Sequence, residues 1–115
     1  MPEQPSTRTN EEAHLKVLRA IDAEPTLSQR DLAKQLGISL GKTNYCLQAL
    51  LEKGWIKAKN FKNNKNKIAY SYLLTPKGID QKAKLTLRFL DRKRTEYEAL
   101  KHEIEQLRKE VSDGP

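Results

Sequence analysis

Ser28-Gln29-Arg30-Asp31-Leu32-Ala33-Lys34-Gln35-Leu36-Gly37-Ile38-Ser39-Leu40-Gly41-Lys42-Thr43-Asn44-Tyr45-Cys46-Leu47-Gln48-Ala49-Leu50-Leu51-Glu52-Lys53-Gly54-Trp55-Ile56 is the stretch that decides the fold. Ser28 can cap a helix, and Asp31 stands three positions later, the spacing of a capping box. Leu32, Ala33 and Leu36 then fall on one helical face. Gly37 stops that helix where a left-handed residue is wanted. Ser39 can cap a second helix whose inner side carries Thr43, Leu47, Leu50 and Leu51, and Gly54 ends it. Two short helices joined by a tight glycine turn predict a helix-turn-helix, whose second helix enters the major groove of DNA.

An ordinary helical hairpin would show the same apolar spacing. The outer side of the second helix argues for more. Ser39, Gly41, Lys42, Asn44, Tyr45 and Gln48 point away from the predicted core, and none is acidic. Asn and Gln suit adenine edges, Lys suits guanine or phosphate, and glycine lets a backbone come close. The recognition helix is placed at about residues 39–53.

Outward from this stretch, the period changes. Trp55 to Phe61 and Lys67 to Leu74 alternate as strands do, with the turn-prone Lys62-Asn63-Asn64-Lys65-Asn66 between them. A hairpin after a recognition helix is the wing of a winged helix. No acidic residue stands between Glu52 and Asp80, an interval that holds Lys53, Lys57, Lys59, Lys62, Lys65, Lys67 and Lys77. A solvated lysine-rich loop also fits, since edge lysines resist aggregation. A single-sign strip beside a recognition helix fits phosphate contact better. The candidate DNA contacts are therefore Ser28, Ser39, Gly41, Lys42, Asn44, Tyr45, Gln48, Lys59, Lys62, Asn63, Asn64, Lys65 and Lys67, with the wing at 57–67.

Upstream, residues 1–9 read as a flexible arm. Asn10 can cap a first helix with the apolar stripe Leu15, Leu18 and Ile21, with Val17 beside them, ended by Pro25. Thr26-Leu27 reads as a minimal third strand. The expected core is Leu15, Leu18, Ile21, Leu27, Leu32, Leu36, Leu47, Leu50, Ile56, Tyr70, Tyr72 and Leu74. Downstream, Thr75 can cap a helix with Pro76 at its first position. No breaker but Gly78 interrupts it before Ser112, so it spans some 35 residues, or roughly 50 Å. Ile79, Ala83, Thr86, Leu90, Lys93, Tyr97, Leu100, Ile104, Leu107 and Val111 step by four and three. That is a heptad seam, clean from Tyr97 onward. A second strip, Leu85, Leu87 and Phe89, is expected to dock on the winged domain. A helix this long cannot bury its far half on so small a domain. Dimerisation with a second copy through Leu90, Tyr97, Leu100, Ile104, Leu107 and Val111 follows as an expectation. The fold class is mainly α with a small β-hairpin wing: a winged helix-turn-helix at 10–75 and a dimerisation helix at 76–112.

The 115 residues carry a formal charge of +7, which favours a polyanionic partner. One cysteine excludes a disulfide framework. Cys46 reads as a packing residue, with a redox switch as the lesser alternative. His14 and His102 lack ligand partners at suitable spacing, so no metal or other cofactor is expected. No apolar run approaches the ~20 residues of a membrane span. Residues 1–10 lack the apolar core of a signal peptide, so a cytoplasmic protein is expected. Neither a phosphate loop, nor a nucleophile elbow, nor paired catalytic acids argue for an enzyme.

The junction Leu51-Glu52-Lys53-Gly54-Trp55-Ile56 and the run Leu74-Thr75-Pro76-Lys77-Gly78 resemble the MarR family of bacterial transcriptional regulators. Residues 66–79, Asn-Lys-Ile-Ala-Tyr-Ser-Tyr-Leu-Leu-Thr-Pro-Lys-Gly-Ile, are similar to its exopolysaccharide-associated branch. So are Leu85-Thr86-Leu87-Arg88-Phe89-Leu90-Asp91-Arg92-Lys93 and Glu96-Tyr97-Glu98-Ala99-Leu100. The likeness covers about residues 11–111 and implies control of exopolysaccharide genes. Where the wider family has an Asp-x-Arg wing motif, this wing has lysines and asparagines only. No small-molecule effector is implied by the residues. The rival expectation is a protein-interaction adaptor that uses the winged helix for docking and binds no DNA.

Overall fold

The computed structural model describes residues 5–62 and 68–114. The elements run α1 (Pro5–Ala23), α2 (Gln29–Leu36), α3 (Leu40–Glu52), β1 (Ile56–Lys62), β2 (Ile68–Leu74) and α4 (Pro76–Asp113). Two compact units divide the chain, Met1–Leu85 and Thr86–Pro115.

In the first unit, α1, α2 and α3 wrap one core closed by the hairpin. Leu15, Val17, Leu18 and Ile21 of α1 are buried with Leu32 and Ala33 of α2, and with Cys46, Leu47 and Leu50 of α3. Ile56 and Tyr72 enter from the strands and Leu85 from α4. Each of the buried valine, leucine and isoleucine side chains contributes about 1.5–3 kcal/mol. Leu27, Leu36 and Leu74, expected in the core, are half-buried at its rim. Tyr70 lies among the residues whose side chains are not described.

The capping expectations hold in atomic detail. Ser28 Oγ accepts from the Asp31 amide at 3.1 Å, and the Ser28 amide donates to Asp31 Oδ2 at 3.4 Å, completing the capping box. Gly37 takes the left-handed φ of 68° and its amide bonds back into α2, which fixes the angle at which α3 departs. Ser39 Oγ accepts from the Lys42 amide at 3.0 Å.

Three expectations are corrected. α1 begins at Pro5 rather than Asn10, so residues 5–9, assigned to a flexible arm, are helical. Proline is well suited to a first helical turn, because its missing N–H has no intrahelical partner there. Second, Thr26-Leu27 forms no strand, and the sheet has two strands, not three. All that remains is one bond, from the Tyr72 amide to the Pro25 carbonyl at 3.3 Å. Pro25 has no N–H to donate in return, so a ladder cannot start there. Third, Leu85, Leu87 and Phe89 do not form one strip: Leu87 is 67% exposed, whereas Leu85 is buried. Two residues apart on a helix is about 200° of rotation, so the two cannot share a face.

β1 and β2 pair antiparallel, with Ile56 opposite Leu74 and Lys59 opposite Ser71. Tyr72 ties the hairpin to the helix-turn-helix, its hydroxyl accepting from Gln29 Nε2 at 3.1 Å. The base of the hairpin is locked to the start of α4 by Thr75. The Thr75 amide donates to the Trp55 carbonyl at 3.0 Å, and its hydroxyl donates to the Gly54 carbonyl at 2.6 Å. The same hydroxyl accepts from the Gly78 amide at 3.0 Å, capping α4. Lys82 of α4 then pairs with Asp22 of α1 at 2.7 Å.

The second unit is the remainder of α4, from Thr86. Leu90, Tyr97, Leu100, Ile104, Leu107 and Val111 are all exposed along it. Among the described residues, no helix is long and apolar enough to cross a membrane.

Candidate nucleic-acid interface

α3 sorts its side chains by helical period. Thr43, Cys46, Leu47 and Leu50 face inward and are buried. The Thr43 hydroxyl is satisfied by donating to the Ser39 carbonyl at 2.9 Å. That inward anchoring leaves Gly41, Asn44, Tyr45 and Gln48 exposed, and steps of three, one and three put them on one face. Tyr45 is 66% exposed, far more than a core tyrosine would be. Ser39 and Lys42 are also exposed, at the N-terminal end. A β-carbon built on Gly41 would meet no atom within 4 Å, so the protein itself leaves that side of the helix open.

Ser28 and Ser39 are exposed, and each uses one lone pair as a helix cap. Each hydroxyl proton is left to donate, the role a phosphate oxygen would use. Lys57 and Lys59 are exposed and share one face of β1, two positions apart. Lys62 is the last residue of β1. Asn63, Asn64, Lys65 and Lys67 lie outside the described residues. Leu40 was missed by sequence reasoning: it is 43% exposed at the first position of α3. Its spacing of four and eight from Asn44 and Gln48 was the available signal. An apolar side chain there can meet a thymine methyl.

Cys46 is buried, and that burial pushes its thiol above the ordinary range, with Lys42 acting weakly the other way. A thiol held protonated is a poor nucleophile, which weighs against a redox role. Among the described residues, no group of three His, Cys, Asp or Glu could hold a metal ion.

His14 packs edge-on against Trp55, with ring centres 6.4 Å apart, and Lys53 Nζ sits 4.9 Å over the same indole. Burial lowers the His14 pKa, Lys53 lowers it further, and Glu11 partly opposes them. The folded chain therefore binds a proton at His14 less readily than the unfolded chain. Stability contributed by neutral His14 is complete above about pH 6.5 and falls as pH drops below it. Thermal melts at pH 7.5 and 5.5 will show a larger loss for the wild type than for His14→Gln.

Residues 11–57 match a family model described as winged helix-turn-helix DNA-binding. The chain has the winged helix-turn-helix fold. Solved structures of like fold include the PcaV transcriptional regulator of Streptomyces coelicolor in complex with its natural ligand. It has 19% identity and a TM-score of 0.64, over 89% of this chain and 74% of that one. A MarR/EmrR family transcriptional regulator from Acinetobacter sp. ADP1 matches at 16% identity and TM-score 0.58, over 89% and 76%. The S. aureus MepR–DNA complex matches at 21% and 0.58, over 88% and 76%. Likeness at this identity concerns the fold. No curated protein matches the sequence.

Proposed function

We propose that the chain is a homodimeric, sequence-specific DNA-binding transcriptional regulator of the MarR type, with exopolysaccharide genes as its targets. The observation that carries this reading is the outward face of α3. A winged helix-turn-helix whose second helix exposes Gly41, Lys42, Asn44, Tyr45 and Gln48, none of them acidic, is built to read base edges. Lys57, Lys59 and Lys62 on β1, with Lys65 and Lys67 later in the sequence, supply the cation strip for flanking phosphates. A MepR structure of the same fold has been solved in complex with DNA, which supports DNA as the partner. The exopolysaccharide assignment is supported by residues 66–79 and 85–93, whose likeness is to that branch. The dimer is supported by the uncovered seam from Leu90 to Val111.

A two-fold dimer predicts a palindromic operator with half-sites about 10 bp apart, or a multiple of that. Selection of bound genomic fragments identifies the operator, and fluorescence anisotropy across a salt series tests the wing. Lys62→Ala with Lys65→Ala will weaken all duplexes alike and flatten the salt slope by about 2, near one per phosphate contact. Unchanged affinity in that double variant refutes the wing's role. Absence of any salt-sensitive DNA binding by the wild type refutes the regulator.

A further inference from the structure

The exposed seam of α4 carries more than apolar spacing. Placing Leu90, Tyr97, Ile104 and Val111 at position a of a heptad puts Lys93, Leu100 and Leu107 at d. Position e is then Arg94, Lys101 and Arg108, every one basic. Position g is Glu96, Glu103 and Glu110, every one acidic. All of these residues are exposed in the single chain.

Segregation by sign discriminates between the two ways a pair of identical helices can run. In a parallel, in-register pair, position g faces e of the partner's next heptad. Glu96 then meets the partner's Lys101, Glu103 meets the partner's Arg108, and the two-fold axis repeats both pairs. In an antiparallel pair, g faces g and e faces e, so glutamates oppose glutamates and basic residues oppose basic ones. The apolar layers agree with the first arrangement. Ile104 and Val111 at a with Leu100 and Leu107 at d is the β-branched and leucine pattern of parallel two-stranded coils. A shallow groove of about 250 Å³ on α4 is lined by Tyr97, Leu100, Lys101, Ile104, Glu105 and Arg108. Tyr97, Leu100, Lys101 and Ile104 are its a, d, e and a positions, the four that form the hole for a d-position knob. Lys93, a charge in a d layer, is drawn to its own helix, with Nζ 3.1 Å from Glu96 and 5.1 Å over the Phe89 ring.

We propose that residues 90–111 of two copies form a parallel, in-register coiled coil, with Leu100 of each copy seated in the other's groove and Glu103 paired with Arg108 across the seam. This deepens the homodimer reading above and rests on it. Both chains then enter the coil from the same end.

The test uses the full chain carrying Val111→Cys, equilibrated in a glutathione redox buffer and run on a non-reducing gel, with sedimentation of the wild type alongside. Cys46 is buried and does not compete. A parallel coil brings the two introduced thiols together, and most of the protein will run as a disulfide-linked dimer. A wild type that sediments as a dimer while Val111→Cys fails to cross-link overturns the parallel arrangement and leaves the homodimer standing. A wild-type monomer overturns both. As a second readout, Glu103→Arg will raise the dimer dissociation constant about tenfold or more, and adding Arg108→Glu in the same chain will restore it. Failure of that rescue also overturns the parallel pairing.

Discussion

Gly78→Ala will unfold the winged unit or leave it barely stable, with a loss of about 3 kcal/mol or more, as expected when a core is overpacked against something that cannot yield. A β-carbon at residue 78 would overlap the Trp55 carbonyl oxygen and lie 2.8 Å from its carbon. The obstacle is backbone, so no rotamer change relieves it. Nor can that backbone step aside, because the Trp55 carbonyl accepts from the Thr75 amide and the Gly54 carbonyl from the Thr75 hydroxyl. Moving Trp55 would break both bonds and disturb the joint between β1 and α4. Gly54→Ala is the control. Its φ is 72° but the space around it is open, so alanine there suffers only the left-handed penalty of about 1–2 kcal/mol. Chemical denaturation of both variants checks the order; equal losses would mean that the joint is not rigid.

Gly41→Ala separates folding from DNA binding by moving them in opposite directions. Outside its own helical turn nothing lies within 4 Å of the added methyl, and residue 41 is the second residue of α3. Alanine is a better helix former than glycine by up to ~1 kcal/mol, so the melting temperature will rise slightly. If the α3 backbone comes close to a base edge or phosphate at Gly41, the same methyl will lower operator affinity. Asn44→Ala and Gln48→Ala act on the same face, and each lost base contact costs about 1–3 kcal/mol, roughly 5- to 150-fold in affinity for the operator. Their binding to unrelated duplex will change little. Anisotropy on operator and on scrambled DNA measures both. Undiminished discrimination in the Asn44→Ala, Gln48→Ala double variant would remove α3 from the reading head.

Most of the architecture was legible in the sequence because its signals are local. A serine cap three residues before an aspartate, a glycine that must turn left-handed and a change of period from helical to alternating each act within one turn of chain. Ser28, Gly37, Ser39, Gly54 and Thr75 all perform the roles their spacing announced. The outward face of α3 was legible for the same reason, since the burial of Thr43, Leu47 and Leu50 fixes where Asn44 and Gln48 must point.

Contacts between distant parts of the chain were not. Pro25 and Tyr72 meet through one backbone bond where a strand was expected, and which partner each group finds depends on how α1 and the hairpin pack. Gly54-Trp55 and Thr75-Gly78 look like separate turn signals in sequence; only in three dimensions do they become one joint. Spacing put Leu40 on the face of Asn44 and Gln48, but its apolar side chain argued for burial, and only the packing shows it 43% exposed. Local sequence thus determined α2, α3, the hairpin and α4, the caps at Ser28, Ser39 and Thr75, and the face that α3 presents. The tertiary structure decided which of them lock together, because a hydrogen bond or a packed carbonyl between residues tens of positions apart leaves no periodic mark on the chain.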